Sequence, residues 1–176
     1  MINKITTIAA IAAIIFFIQI NITAQVKEDS MTPQQDTEVT LKPVTIHQEV
    51  DFNVSPERIY NALLDTKQFC EFTAQSGMFS ANSAKIDPSE GGAFSLFDGH
   101  ITGRNVELAP NKRIVQAWRS GDWPEGVYSI ARFELKAQGS GTHLVFDHTG
   151  FPVNMRDHLA AGWTEHYWEP LKKYLH

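Results

Sequence analysis

A change of period constrains this sequence more than any other feature. From Thr45 to Thr149 apolar residues recur mostly at every second position, in short runs cut by turn residues; past Pro152 they recur every three to four. Thr45 to Val54 places Ile46, Gln48, Val50, Phe52 and Val54 on one face of a first strand. Ser55-Pro56-Glu57-Arg58 then opens a helix with a cap residue and a proline in its first turn, carrying Ile59, Ala62 and Leu63. A second short helix is expected from Thr66 to about Ala74, with Phe69, Cys70 and Phe72.

The strands follow in series. A short one is expected near Ser83 to Ile86, and Gly91-Gly92 opens another with Phe94 and Leu96. Asp98-Gly99 predicts a hairpin turn into Ile101 to Leu108. Ala109-Pro110-Asn111-Lys112 turns the chain into Arg113 to Arg119, and a loop from Ser120 to Gly126 leads to a long strand, Val127 to Ala137. Gly139-Ser140-Gly141 turns that strand into Thr142 to Thr149. Beyond Pro152, Leu159, Trp163, Tyr167, Leu171 and Tyr174 form an aromatic stripe at helical spacing. Pro170 lies inside that helix and is expected to kink it, an interior proline costing about 3 kcal/mol where nothing compensates. The class is therefore α+β: an antiparallel sheet whose apolar face needs a cover, with the terminal helix to supply it.

The N-terminal part is of another kind. Residues 1–24 read as a signal peptide: Lys4 gives a positive start, Ile5 to Ile18 an apolar stretch shorter than the about 20 residues of a membrane span, and Ala24 a small residue at the expected cleavage point. Retention as an anchor is the alternative; with cleavage, no stable membrane insertion is expected. Residues 25–44 are polar, with prolines at 33 and 43, and read as a flexible linker. The localisation that follows is export, to a bacterial periplasm or cell envelope or outside the cell.

Composition removes several classes. The net charge of -5 with no basic run offers no footprint for nucleic acid. The single cysteine, Cys70, rules out an intrachain disulfide and any zinc site built on several cysteines, and its aromatic and acidic neighbours read as packing. No nucleophile elbow and no phosphate-cradling glycine loop occurs, so no cofactor is expected. His143 and His148 point to opposite faces of a strand. His158 and His166, with Glu165 beside the latter, do not match the spacing of helical zinc ligands, and no metal site is expected.

Several segments together resemble a known family. They are Gly91-Gly92-Ala93-Phe94-Ser95-Leu96-Phe97-Asp98-Gly99, Ile101-Thr102-Gly103, Glu107-Leu108-Ala109-Pro110, Arg113-Ile114-Val115-Gln116-Ala117-Trp118-Arg119, Asp122-Trp123-Pro124-Glu125-Gly126 and Gly162-Trp163-Thr164-Glu165-His166-Tyr167-Trp168. In this order they resemble the START-like (SRPBCC, birch-pollen-allergen-like) superfamily, and within it the C-terminal domain of activators of the heat-shock protein 90 ATPase. The likeness spans residues 45–176. It implies a helix-grip fold: a curved antiparallel sheet wrapped around a long C-terminal helix, two short helices after the first strand, and a cavity between sheet and helix.

Alternation names the side chains facing that space. They are Ile114, Gln116 and Trp118 on one strand, Ser129, Ala131 and Phe133 on the next, and Phe146 and His148 on the last. Phe94 and Leu96, Phe69 and Phe72 from the second helix, and Trp163, Tyr167 and Leu171 from the terminal helix complete the set. The same residues make either a ligand cavity with a few orienting polar groups or a filled core. Trp123 and Pro124 are candidates for a lid or a partner-binding loop, packing of Trp123 on its own domain being the alternative.

Three functions fit. The first is a non-catalytic carrier holding a small apolar molecule. The second is a chaperone-regulating domain with a protein partner. The third is a cavity enzyme of cyclase or hydratase type with His148 as general base, a histidine titrating near neutrality.

Overall fold

The computed structural model describes residues 44–77 and 83–176. The readings of residues 1–24 and of most of 25–44 lie outside the described residues. No helix among the described residues is long and apolar enough to cross a membrane.

Among the described residues seven strands form one antiparallel sheet in the order β1-β7-β6-β5-β4-β3-β2. They are β1 (Thr45–Phe52), β2 (Lys85–Ile86), β3 (Ala93–Leu96), β4 (Ile101–Ala109), β5 (Arg113–Ser120), β6 (Ser129–Gln138) and β7 (Gly141–Thr149). β1 is followed by α1 (Pro56–Leu64) and α2 (Thr66–Thr73), and the chain ends in α3 (Arg156–Trp163), a π-helical turn (Thr164–Trp168) and α4 (Glu169–Tyr174). This is the helix-grip arrangement. Sequence-adjacent hairpins build six of the strands outward, and β1 closes the far edge by pairing with β7 from Thr45↔Thr149 to Phe52↔Thr142.

The alternation translates directly into faces. Ile114, Gln116, Trp118 and Ser120 of β5 are buried while their neighbours are half-buried, and β6 and β7 repeat the pattern with Ala131, Phe133 and Leu135, and with Leu144, Phe146 and His148. Each large apolar side chain so covered contributes roughly 1.5–3 kcal/mol. The terminal helix lies over that face, α2 packs against α4, and the Tyr174 hydroxyl donates to Glu71 Oε2 at 2.8 Å.

Three details depart from the sequence reading. Ser55 occupies the cap position of α1 with extended backbone, but its hydroxyl makes no capping bond. At α2 the cap is made: the Asp65 carboxylate accepts from the Gln68 N–H at 2.9 Å. The β3–β4 hairpin is centred on Asp98-Gly99 as expected: Leu96 pairs with Ile101, and Phe97 (φ 52°), Asp98 (φ 57°) and Gly99 (φ 89°) all take left-handed backbone. β4 carries a bulge between Asn105 and Glu107, which turns Val106 outward and Asn105 inward.

The third departure is the terminal helix, which widens by one π-helical turn just before Pro170. The widening sits where proline would otherwise meet the preceding turn. An extra residue per turn lets Tyr167 and Trp168 both reach the interior, and Trp163 and Trp168, five apart, stack with centroids 5.9 Å apart. Gln48 of β1 clips this region. It accepts from Trp168 Nε1 at 2.8 Å and donates to Ala160 O at 3.0 Å and to Thr164 Oγ1 at 3.3 Å.

Candidate functional site

The residues expected to line a cavity do converge, but the space they surround is filled. Phe69, Phe72, Phe94, Leu96, Ile114, Ala131, Phe133, Phe146 and Leu171 are all buried. Their rings close on one another, Phe69 on Phe72 at 4.8 Å, Phe133 on Phe146 at 5.0 Å and Phe146 on Trp163 at 4.4 Å. What remains beside Gln116, Phe94 and Tyr167 is a void of about 10 Å³, room for a single water. Aromatic volume has consumed the interior, and this part of the expected ligand cavity is core.

Gln116, Ser129 and His148, polar groups among these residues, are tied in. Gln116 Nε2 donates to Asn105 Oδ1 at 3.0 Å, and Asn105 Nδ2 donates to Asp87 O at 2.9 Å. His148 is fully buried. Trp163 Nε1–H donates to its Nδ1 at 3.0 Å, which fixes the proton on Nε2 and directs it to Ser129 Oγ at 2.6 Å. The Ser129 hydroxyl donates onward to Trp118 O at 3.0 Å. Burial pushes the His148 pKa down to about 3, so the ring is neutral, with both nitrogens engaged. A general base needs a free lone pair facing substrate. His148 has none, and its place is that of a hydrogen-bonded core residue.

Trp123 is buried too, its ring 5.3 Å from that of Trp118, so it packs on its own domain instead of standing out as a lid. Arg119 holds the loop from below through Trp123 O at 2.9 Å, while Pro124 is exposed.

A real opening lies alongside the filled core. A groove of about 340 Å³ runs between the β3–β4 turn, the end of β5 and one flank of α3 and the π-helical turn. Trp118, Trp163 and Tyr167 from the expected set border it, together with Phe97, Ile101, Met155, Leu159, Ala161 and Gly162. His100, Ser120, His158, Glu165 and His166 supply its polar edge. His100 Nε2 lies 3.2 Å from Ser120 Oγ and 3.7 Å from Asp122 Oδ2. The sequence reading missed the groove because its lining comes from a turn, a strand end and the outer flank of a helix, which share no common periodicity. The cluster of His158, Glu165 and His166 on one helix was its only sequence signal. Among the described residues no cluster of His, Cys, Asp and Glu is arranged to hold a metal ion.

The fold and its filled interior define a START-like helix-grip domain. Residues 53–176 match the family described as "Activator of Hsp90 ATPase homolog 1-like protein", and the chain belongs to that family. Among curated relatives, "Activator of 90 kDa heat shock protein ATPase homolog 2" of Mus musculus is 28% identical over 137 residues, covering 78% of this chain and 39% of the relative. Homolog 1 of Homo sapiens is 27% identical over 146 residues, covering 82% and 40%. The chain thus spans about two-fifths of the length of these relatives. Of solved structures, an HSP90 activator of Plasmodium falciparum superposes with a TM-score of 0.68 at 26% identity, covering 74% of this chain and 95% of that one. The Aha1 of Colwellia psychrerythraea, a dimer in solution, shares the fold at a TM-score of 0.61.

Proposed function

We propose that this chain is a non-catalytic protein-interaction module of the chaperone-activator type. The observation that carries the reading is the family match over residues 53–176, which runs through nearly the whole sheet and the complete terminal helix. The packing supports it from another side: the space between sheet and helix is taken up by the domain's own aromatic rings, leaving the outer surface for recognition. Tyr128, Ile130 and Val153 are large apolar side chains left exposed on that surface, of the kind that partner contacts use. His148 offers no support for the enzyme reading, since neither ring nitrogen is available.

The test is the ATPase rate of heat-shock protein 90 from the same cell, measured with and without the full chain. A saturable rise in rate supports the reading. An unchanged rate together with no detectable complex by analytical ultracentrifugation overturns it. Export rests on the pattern of residues 1–24 alone, and the mass of the protein recovered from its own cells, with or without those residues, decides it.

A further inference from the structure

The sheet is open, and its two edges are finished differently. β2 is only two residues long, and its backbone is already occupied. The Thr66 hydroxyl accepts from the Ile86 N–H at 3.0 Å and donates to Ile86 O at 3.3 Å. β1, at the opposite edge, runs for eight residues and pairs with β7 alone. Among the described residues no side chain or loop bonds to the backbone from Ile46 to Phe52 on the side away from β7. A strand of that length left open is a template for another strand.

The residues of β1 say which strand fits. Thr45, His47, Glu49 and Asp51 lie on the outer face of the sheet, and Ile46, Gln48, Val50 and Phe52 on the inner one. Read from Gln48 in both directions, the pattern mirrors itself. His47 answers Glu49, Ile46 answers Val50, Thr45 answers Asp51, and Val44 answers Phe52. A strand with that symmetry complements its own copy in antiparallel.

The register is constrained as well. Outer residues must meet outer ones, so a two-fold axis has to pass through one residue of the strand. At Gln48 it sets each His47 against the partner's Glu49, and each Ile46 against the partner's Val50. At Glu49 it would bring two Glu49 carboxylates together, and at Val50 it would set Glu49 against the partner's Asp51. Like charges directly opposite are destabilising. An axis at His47 would oppose the two imidazoles. Gln48 is the position that gives an acid–base pair in both directions and no like pair.

We propose that β1 pairs with β1 of a second copy about a two-fold axis at Gln48, joining the two sheets into one. His47 is already oriented for this: its Nδ1 is held by Asp147 Oδ1 at 2.7 Å, and Arg132 holds the other oxygen of that carboxylate at 2.6 Å. Its Nε2 is left for a carboxylate, Glu49 of the same strand at 3.2 Å in the single chain and the partner's Glu49 in the pair. The hydrogen bonds to Asp147 and then Glu49 raise the His47 pKa, which favours the charged ring. His143 of β7, 3.6 Å from Glu49, brings a second imidazole to the same carboxylate. On the axis, each Gln48 amide is engaged by Trp168, Ala160 and Thr164 of its own chain, so the two glutamines meet with their amides satisfied. This interface is independent of the chaperone-type partner proposed above.

The experiment is sedimentation velocity of the full chain over a concentration series, with two variants and their mixture. Glu49→Lys sets a cation against the partner's His47, and His47→Glu sets a carboxylate against the partner's Glu49. Each contact occurs twice by symmetry, so each variant alone is expected to dimerise about tenfold more weakly than the wild-type chain. Mixed in equal amounts, the two are expected to regain the wild-type strength. The unchanged His47 of one then faces the unchanged Glu49 of the other, and the introduced lysine faces the introduced glutamate. Both side chains are more than half exposed, so the substitutions leave the core intact. In the wild-type chain itself, amide exchange from Ile46 to Phe52 is expected to slow as concentration rises. A single species of one-chain mass at every concentration overturns the proposal and leaves the edge to an extended segment of another protein. So does a dimer that neither variant weakens, a mixture that fails to restore it, or exchange in β1 that is indifferent to concentration.

Discussion

Two buried polar clusters sit one helical turn apart on the terminal helix, and they are built to opposite standards. Around Trp163 every group has a partner: indole to His148, His148 to Ser129, Ser129 to the Trp118 carbonyl. Around Tyr167 the Trp118 indole faces the phenol oxygen, and the phenol hydrogen has no acceptor. Both clusters are sealed from water, both are ringed by the same aromatic stack, and Trp118 belongs to each. The difference lies in acceptors. The first cluster was given a histidine and a serine on neighbouring strands, and the second faces Phe69, Phe72 and Phe97, which accept nothing. One half of the helix anchors the fold, and the other buries a hydroxyl that costs stability.

Acid strikes the satisfied cluster first. His148 has a folded-state pKa of about 3 against an ordinary 6.5, so the folded protein binds fewer protons than the unfolded chain between those values. Its contribution is complete above pH 6.5 and is lost as pH falls, by about 1.4 kcal/mol per unit and about 5 kcal/mol in all. Urea unfolding between pH 7 and pH 4 measures this. A flat profile would mean that protonated His148 is accommodated and that the network is looser than described.

His148→Leu removes the titration and also leaves the Trp163 indole and the Ser129 hydroxyl without partners, an expected loss of about 3 kcal/mol at pH 7. A loss below about 1 kcal/mol would erase the contrast between the clusters. Tyr167→Phe works in the opposite direction. Deleting an unsatisfied hydroxyl should leave the free protein as stable or up to about 1 kcal/mol more stable, which thermal unfolding reads.

The smallest effect belongs to the outer face. His47 bonds to Asp147 at 2.7 Å and to Glu49 at 3.2 Å, which raises its pKa. The sign is opposite to that of His148: its contribution is complete below the unfolded value and fades as pH rises through the folded one. Because the side chain is half exposed, added salt should remove most of it. His47→Gln is expected to flatten the neutral-to-alkaline slope slightly and leave the acid limb untouched.

The fold was legible in the sequence because strand faces and turns are local facts. Alternation put Ile114, Gln116 and Trp118 on one side, and the structure keeps them there. The state of the interior was not legible, since periodicity says which way a side chain points and nothing of how much space the others leave. His148 illustrates the limit: its position on an apolar face could be read, but its two partners lie 15 and 19 residues away and come together only in three dimensions. Asn105 and Trp168 were missed for another reason. A bulge and a π-helical turn each insert one residue into a period, and everything beyond them shifts face.

That inserted residue in the terminal helix has a genetic consequence. Each residue of an α-helix advances the next by about 100° around its axis. A one-codon deletion within 164–168 would remove the residue that the wide turn absorbs, and the helix would straighten with everything after it on its present face. Leu171 and Leu175 would stay turned inward and Tyr174 toward Glu71, and the loss would fall on Tyr167 or Trp168, which the wide turn brings inward together. In this stretch a deletion that preserves the reading frame should therefore be less damaging than in the plain α-helix on either side, where each residue beyond it would change face.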